Sequence, residues 1–163
     1  MNLTIRKMTV GDVSAVVDLD KKSFILPWPE RSFRFELTDN PASRCWVAER
    51  EGNIVGMIVV WLIVDEAHVA TIAIDPEYRR QGIGKRLLAH ALRHMIRDGA
   101  RSSFLEVRES NRVAQEMYRK FGYEVTGRRR RYYRDNDEDA ILMSLERLDI
   151  ERLSLDKEEQ NER

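Results

Sequence analysis

The sequence of 163 residues has little cysteine and no excess of either charge. Cys45 is the only cysteine, which excludes an intrachain disulfide framework and a cysteine-rich metal site. Lysine plus arginine and aspartate plus glutamate both number 28, so the net charge gives no general attraction to nucleic acid. The hydrophobic fraction of 42% is sufficient for a packed core and excludes a disordered chain.

Long hydrophobic runs are also missing. The longest apolar run, Ile54 to Val64, is too short to span a bilayer, and Gly56 interrupts it. The first residues, Met1 to Arg6, lack the apolar run of a signal peptide. We therefore predict a cytoplasmic protein with no membrane partner.

The apolar pattern predicts elements in the order β-α-α-β-β-β-α-β-α-β-β. The clearest helix, Gly84 to Asp98, has one apolar face and ends at Gly99. This order predicts an α/β (α+β) fold, a mixed sheet with helices on both faces. Each of the two stretches through the central helices should join parallel neighbours by a right-handed crossover.

The composition changes near the end of the chain. From Leu148 onward the residues are mostly polar and charged. We predict a single domain over residues 1–148 and a frayed, charged extension over residues 149–163.

The most informative segment connects a strand to a helix. The apolar run Val69 to Ile74 predicts a buried strand, and the segment Asp75 to Leu88 then carries several basic residues and two glycines. The first amides of a helix have no internal acceptor and carry partial positive charge. Glycines let a ligand approach the backbone, so this turn can bind a phosphate or pyrophosphate.

The spacing narrows the kind of phosphate loop. A Walker loop needs Lys-Ser/Thr where this chain has Lys85-Arg86, and a dinucleotide fingerprint needs a third glycine where Leu87 stands. The remaining pattern, Arg79-x-x-Gly82-x-Gly84, resembles the acetyl-coenzyme A pyrophosphate loop of the GNAT superfamily of N-acetyltransferases. The alternative is an ordinary glycine-containing turn with solvated arginines.

Further segments extend this resemblance over nearly the whole chain, up to about Leu148. They are Pro27-Trp28, Leu105 to Asn111 with Ala114, Tyr118, Gly122 and Tyr123, then Arg131-Tyr132-Tyr133 and Glu138 to Met143. Together they resemble the RimI-like branch, the ribosomal-protein-alanine N-acetyltransferases and their archaeal relatives. The resemblance implies a mostly antiparallel GNAT sheet and transfer of acetyl from acetyl-CoA to the α-amino group of a protein N-terminus. It also implies direct attack in a ternary complex, no metal, and a ribosomal protein as one candidate acceptor.

The resemblance implies a donor site on the loop and the two central helices. A backbone amide near Ala73 or Ile74 would stabilise the oxyanion, and no enzyme-bound nucleophile is needed. The expected acetyl-CoA-binding residues are Ile72, Ala73, Ile74, Arg79, Arg80, Gln81, Gly82, Ile83, Gly84, Lys85, Asn111, Ala114 and Tyr118.

Tyr118 is the first candidate catalytic residue. Asn111, Ala114 and Tyr118 share one helix face at i, i+3 and i+7. A second stripe, assigned to the core, consists of Val113, Met117 and Phe121. The resemblance implies that Tyr118 protonates the departing thiolate, and the alternative is a packed tyrosine with a satisfied hydroxyl.

Glu106 is the second candidate catalytic residue. By alternation, Leu105 and Val107 face one side of a strand while Glu106 faces the other. A carboxylate on a central strand costs free energy unless water hydrates it or a cation pairs with it. The resemblance implies a general base that takes a proton from the incoming ammonium, directly or through water. The alternative is a structural ion pair with Arg108 or another arginine.

The acceptor site is expected between the segment Phe24 to Glu30 and a later hairpin. Leu26, Trp28, Tyr132 and Tyr133 are the expected substrate-binding residues, and core packing is the alternative for Trp28. Other acceptors stay open: a small-molecule amine or a lysine side chain. A non-catalytic acyl-coenzyme A-binding module is a further alternative.

Two other patterns point to different chemistry. The arginine run Arg128 to Arg131 suggests a nucleic-acid surface, but acidic residues follow it at once, so a charged rim is favoured over an RNA-binding module. His90 and His94 have a spacing that can bind metal, yet no glutamate follows His90. We predict a solvated helix face there, and neither nucleic acid nor metal as a ligand.

Overall fold

A computed structural model describes residues 2–151 and residue 153. The predicted order of elements is confirmed within these residues. The strands are β1 (Leu3–Lys7), β2 (Ser43–Arg50), β3 (Asn53–Ile63), β4 (Glu66–Ile74), β5 (Ser102–Arg108), β6 (Glu124–Tyr133) and β7 (Glu138–Leu145). The α-helices are α1 (Val13–Ser23), α2 (Glu30–Thr38), α3 (Ile83–Arg97) and α4 (Arg112–Phe121). The residues before α1, Val10–Asp12, form a short 3-10 turn.

The seven strands form one sheet in the order β1-β2-β3-β4-β5-β7-β6. All neighbours are antiparallel except β4 and β5. The prediction that β5 and β6 are parallel neighbours is wrong, because β7 lies between them. The physical reason is burial. The apolar β7 is mostly buried and takes the interior position, whereas the arginine-rich β6 is mostly exposed and takes the edge.

Helices cover both faces, as predicted. Helices α1 and α2 pack on one face in a core with residues of β2, β3 and β4, which includes Val16, Phe33 and Met57. Helices α3 and α4 pack on the other face in a larger core. The core under α1 and α2 contains no described residue of β5, β6 or β7, so this core does not extend to β5.

The core stripe assigned to α4 is wrong at one position. Val113 is 74% exposed. Met117 and Phe121 are partly buried against the core, as expected, and Tyr118 is the buried residue of the helix. Residues at i, i+4 and i+8 drift around a helix of 3.6 residues per turn, so a stripe of this kind cannot keep all three on one contact line.

The chain after β7 returns to the core. The amide of Leu148 donates to the carbonyl of Arg101 at 2.8 Å, and Leu153 is buried against α3, where Arg93 Nη1 donates to its carbonyl at 3.1 Å. The fraying expected for the extension is therefore not found at Leu153. The domain boundary at residue 148 stays a prediction, and residues 152 and 154–163 of the extension lie outside the described part.

Among the described helices, none has the length and apolar character needed to cross a membrane.

Candidate active site

The central feature of the site is the parting of the two parallel strands. Strands β4 and β5 pair only from Glu66 with Ser102 to Val69 with Leu105. Beyond that point β4 continues to Ile74 paired with β3 alone, and β5 continues to Arg108 paired with β7 alone. A wedge-shaped gap therefore opens between the carboxyl ends of β4 and β5.

A β-bulge lies where the gap begins. Val59 pairs with Thr71 and Val60 with Val69, so Ala70 is an extra residue in β4. A bulge bends its strand, which accounts for the divergence of β4 from β5. The amide of Asp75 donates to Val55 of β3. Alternation along the strand then turns the backbone groups of Ile72 and Ile74 toward the gap.

The donor loop, residues 79–85, closes one end of this gap. It follows a 3-10 turn, Pro76–Tyr78, in which the Asp75 carboxylate accepts a hydrogen bond from the amide of Glu77 at 3.0 Å. Arg80 and Gly82 then take left-handed conformations, with φ of +64° and +78°. Gly82 is the N-cap of α3, and a Cβ placed on it would meet no heavy atom of the described chain within 4 Å. The loop thus presents the first amides of α3 beside open space.

Most side chains of the donor loop lie at the surface. Arg79, Arg80 and Lys85 are exposed. Gln81 is also exposed, and its side chain accepts a hydrogen bond from Arg50 Nη1. Ile83 is buried and anchors the loop to the core. Basic side chains around open amides are suited to an anion.

Gly84 allows three elements to meet at the gap. A Cβ on Gly84 would lie 3.4 Å from Met117 Sδ and 3.6 Å from Ile74 Cγ1. The start of α3 therefore packs tightly against both α4 and the end of β4. This contact places α4 directly beside the gap.

Tyr118 lies on the α3–α4 side of the sheet. Its helix is capped by Asn111, whose side chain accepts a hydrogen bond from the amide of Ala114 at 3.2 Å. The Tyr118 ring is 4% exposed and lies 5.8 Å from the ring of Tyr123 in an edge-on arrangement. Burial raises the pKa of Tyr118, and no described group hydrogen-bonds to its hydroxyl. The phenol is therefore protonated at neutral pH.

Glu106 lies on the opposite side of the sheet, as the alternation predicted. Leu105 and Val107 are buried, whereas the Glu106 side chain is 31% exposed. Glu106 Oε1 lies 3.1 Å from Arg129 Nε of β6. The structural ion pair weighed in the sequence analysis thus exists, and its partner is Arg129. Arg108 instead pairs with Asp135 at 3.0 Å and with Glu138.

The β6–β7 hairpin brings two tyrosines to Glu106. Between Arg129 and Tyr133 the register of β6 shifts, and Arg131, with φ of +52°, donates its amide to Asp139 Oδ1 at 2.9 Å. The charge of Glu106 and burial raise the pKa of Tyr132. Burial raises the pKa of Tyr133 to about 12.

Tyr133 connects the two sides of the site. Its ring lies 4.0 Å below the Arg108 guanidinium and 5.2 Å from the ring of Tyr132. Electrostatic coupling to Tyr133 also contributes to the raised pKa of Tyr118. Tyr133 therefore lies beside Arg108 and Tyr132 and is close enough to Tyr118 to influence its pKa.

Leu26 and Trp28 lie in the connection between α1 and α2. Leu26 is exposed. The amide of Trp28 donates to the buried Asp20 carboxylate at 2.7 Å, and its ring lies 5.3 Å from Phe33. Trp28 packs against the core, in agreement with the alternative weighed for it. Acceptor binding by both residues stays a prediction.

Sequence reasoning missed two buried carboxylates near this connection. Asp20 holds the Trp28 amide, and Glu36 Oε2 accepts a hydrogen bond from Trp61 Nε1 at 2.9 Å. Both occupy positions of the apolar helix stripe, Asp20 four residues after Val16 and Glu36 three residues after Phe33. An acidic residue at a core position was the signal that could have found them.

The side chains of the arginine run and of the histidine pair contact other residues of the structure. Arg128 pairs with Glu109 at 2.8 Å and with Asp139 at 2.7 Å, so part of the arginine run forms the expected charged rim. The rings of His90 and His94 lie 4.6 Å apart. Within residues 2–151 and 153, no group of three His, Cys, Asp or Glu residues could hold a metal ion.

Comparisons with known proteins identify the family of this chain. The sequence model of the Acetyltransferase (GNAT) family matches residues 13–123. A Bacillus subtilis (strain 168) protein named "putative ribosomal protein bS18-alanine N-acetyltransferase" is 40% identical over 139 residues, which are 85% of this chain and 92% of that protein. The N-alpha-acetyltransferase RimI of Mycobacterium tuberculosis (strain ATCC 25618 / H37Rv) is 36% identical over 149 residues, 86% of this chain and 90% of that protein.

A solved structure shares the architecture. The crystal structure of the ribosomal-protein-S18-alanine N-acetyltransferase from Escherichia coli matches with a TM-score of 0.82 and 30% identity, covering 91% of this chain and 96% of that one. The family match covers most of the chain, and the RimI-type relatives match it almost end to end. The chain therefore belongs to the GNAT family of acetyltransferases, and within that family it is similar to the RimI-type enzymes.

Proposed function

We propose that the enzyme transfers the acetyl group of acetyl-CoA to the α-amino group of a protein N-terminus by direct attack in a ternary complex. The parting of β4 and β5 carries this proposal, and it is supported by the position of Glu106 on one face of the sheet and of Tyr118 in the core of the other. A thioester in that opening could be approached by an amine from the Glu106 side and release its thiolate on the Tyr118 side.

The donor side fits acetyl-CoA as a substrate. The left-handed turn at Gly82 leaves the first amides of α3 open, and the basic side chains Arg79, Arg80 and Lys85 surround them. This arrangement suits a pyrophosphate. The backbone groups of Ile72 and Ile74 face the gap, where an amide can stabilise the oxyanion of the tetrahedral intermediate.

Proton transfer is assigned to the two side chains at the opening. Glu106 would take the proton of the incoming ammonium, directly or through water, while Arg129 and Tyr132 hold its carboxylate in place. Tyr118 would donate its proton to the leaving sulfur, and its raised pKa ensures that the phenol carries that proton.

An α-amine is the acceptor that this chemistry favours. Its pKa is about 7.7–8.0, against about 10.4 for a lysine side chain, so less work is needed to obtain the free amine. The relatives named above include enzymes named for an alanine of ribosomal protein bS18. We therefore propose the N-terminus of the corresponding ribosomal protein as the first candidate acceptor.

The test is mass spectrometry of peptides incubated with enzyme and acetyl-CoA. Three acceptors are compared at equal concentration: a peptide that begins with a free alanine, the same peptide with a blocked N-terminus and an internal lysine, and a polyamine. We expect acetylation of the free N-terminus only. A faster reaction on lysine or polyamine would leave only general GNAT activity, and no transfer at all would favour a non-catalytic acyl-coenzyme A-binding module. Activity should survive EDTA, since no metal is proposed.

A further inference from the structure

A cavity of about 410 Å³ lies beside α2, on the α1–α2 face of the sheet. Its lining residues are Trp28, Arg31, Ser32, Phe35, Glu36 and Trp61. None of these residues belongs to the β4–β5 gap or the donor loop. Two tryptophans, a phenylalanine and a buried carboxylate therefore share one cavity that the transfer chemistry does not use.

Glu36 is the acidic residue in the lining of this cavity. Its residue is 7% exposed, and Oε2 accepts hydrogen bonds from Trp61 Nε1 and Asn40 Nδ2, both at 2.9 Å. No described cation forms an ion pair with Glu36, so its charge is met only by neutral donors. A buried carboxylate without a cation is costly. Oε1 has no hydrogen-bond partner among the described residues and is available to an occupant of the cavity.

The aromatic side chains that line the cavity also favour a positively charged occupant. The faces of tryptophan and phenylalanine rings attract a cation, and a planar guanidinium can both stack on a ring and bond a carboxylate. Phe35 is half-exposed at the opening. Arg31 also lines the cavity. It is exposed and has no ion-pair partner among the described residues. Because salt screens the charge of an exposed side chain, Arg31 repels a bound cation only weakly.

The cavity lies within reach of a peptide whose amine is at Glu106. Trp61 pairs with His68, His68 pairs with Phe104, and Phe104 precedes Glu106 by two residues on the same face. Two strand spacings and two residues along β5 put the Cα atoms of Trp61 and Glu106 about 12 Å apart. An extended peptide advances about 3.3–3.6 Å per residue and covers this distance in about three to four residues.

We propose that this cavity binds an arginine side chain at the third, fourth or fifth residue of the acceptor peptide. Glu36 supplies the carboxylate, and Trp28, Phe35 and Trp61 supply the ring faces. This inference rests on the proposed transfer to a protein N-terminus. It adds a specificity site for a residue that does not react.

The experiment scans one arginine through a peptide. Peptides begin with alanine, carry arginine or glutamine at one position from 2 to 6, and are otherwise glycine and serine. With saturating acetyl-CoA, kcat/KM for arginine over glutamine should be about fivefold at one of positions 3 to 5 and close to one at position 2. A ratio near one at every position would overturn the proposal while leaving N-terminal acetylation intact.

Variants on α2 identify the cavity as the source of this ratio. Glu36→Gln should reduce the arginine-to-glutamine ratio to about one, whereas Arg31→Gln should increase it. Asp39→Asn, which changes an exposed carboxylate at the C-cap of the same helix, should leave it unchanged. Phe35→Ala, at a half-exposed ring, is the second variant if Glu36→Gln folds poorly, and it should also lower the ratio. An unchanged ratio in a folded Glu36→Gln or Phe35→Ala enzyme would assign arginine recognition elsewhere.

A binding measurement separates this inference from catalysis. Trp28 and Trp61 are two of the three tryptophans of the chain, so an occupant of the cavity should change the intrinsic fluorescence. An N-acetylated arginine peptide, which cannot react, should quench it more strongly than its glutamine counterpart. If no free N-terminus is acetylated but this difference persists, the transfer proposal fails and the cation site stands. Equal quenching by both peptides would count against the site.

Discussion

The donor side and the acceptor side of the gap are built in different ways. The donor loop, residues 79–85, depends on backbone conformation: left-handed residues at Arg80 and Gly82, and open amides at the start of α3. The β6–β7 hairpin depends on side chains. Arg108 is held by Asp135 and Glu138 while it covers the ring of Tyr133.

This difference determines how each side responds to substitution. A loop that relies on one left-handed residue can be disabled at that residue, because a side chain there both strains the backbone and fills the space beside the amides. When several ion pairs hold a hairpin, its function does not depend on any single group. Each exposed ion pair contributes little free energy to the stability of the hairpin. Substitutions should therefore cause large effects on the donor side and graded effects on the acceptor side.

Removal of the Tyr118 hydroxyl should have the largest effect. Tyr118→Phe should lower kcat by about 100-fold, the usual scale for loss of a general acid. The affinity for acetyl-CoA should stay nearly unchanged, because only the proton donor is lost. Stopped assays for kcat and calorimetric titration for affinity measure the two quantities.

The neighbouring Tyr123 provides a matched control. It is equally buried, but its hydroxyl donates to Ser103 Oγ at 2.7 Å, away from the gap. Tyr123→Phe should cost about 1 kcal/mol of stability and leave kcat within about twofold. Equal losses of kcat in both variants would mean that packing, and not proton donation, explains the effect of Tyr118→Phe.

Gly82→Val should have the next largest effect. Valine at φ of +78° is strained, and its side chain would occupy the open space beside the first amides of α3. We expect the dissociation constant of acetyl-CoA to rise by more than tenfold in a folded protein. Gly99→Val is the control, since Gly99 also has positive φ and open surroundings but ends the helix far from the loop. Similar affinities for these two variants would contradict the assignment of the donor loop.

The conformation of the loop at residues 79–85 could be predicted from the sequence because its determinants are local. The strand, the glycine spacing and the helix form one continuous segment from Glu66 to Arg97, and the structure places them as expected. The alternation around Glu106 was equally local and is confirmed. Secondary structure and loop geometry follow such short-range patterns directly.

The remaining features depend on contacts distant in sequence. The partner of Glu106 is Arg129, 23 residues later, and the bulges of β6 that place it are not visible in a run of arginines. The insertion of β7 between β5 and β6 follows from competition between two strands for the buried position. The Glu36 cavity needs α2 and β3 together. No single segment of the sequence encodes these features.

Glu106→Gln should produce a smaller effect that depends on pH. The base is needed only while the amine is protonated, so the loss should be about tenfold near pH 6 and should shrink above the amine pKa of about 8. The pH profile of kcat/KM for a peptide that begins with alanine measures this. Glu109→Gln, which also removes a carboxylate paired with an arginine, should lower the rate equally at every pH or not at all. A parallel loss across pH in Glu106→Gln would leave Glu106 with only its structural ion pair.

The smallest effect is expected at Tyr132. Its ring is exposed at the edge of the hairpin and lies 5.7 Å from the guanidinium of Arg129, and the charge of Glu106 raises the pKa of its hydroxyl. Tyr132→Ala should raise the peptide KM by about twofold to fivefold, since one exposed aromatic contact is worth about 0.5–1 kcal/mol. The KM for acetyl-CoA should change by less than twofold, because the donor loop is untouched. Tyr132→Phe keeps the ring and should recover most of the peptide KM. If the alanine variant weakens acetyl-CoA as much as the peptide, the two sides of the gap are not independent, and the contrast between backbone-built and side-chain-built recognition fails.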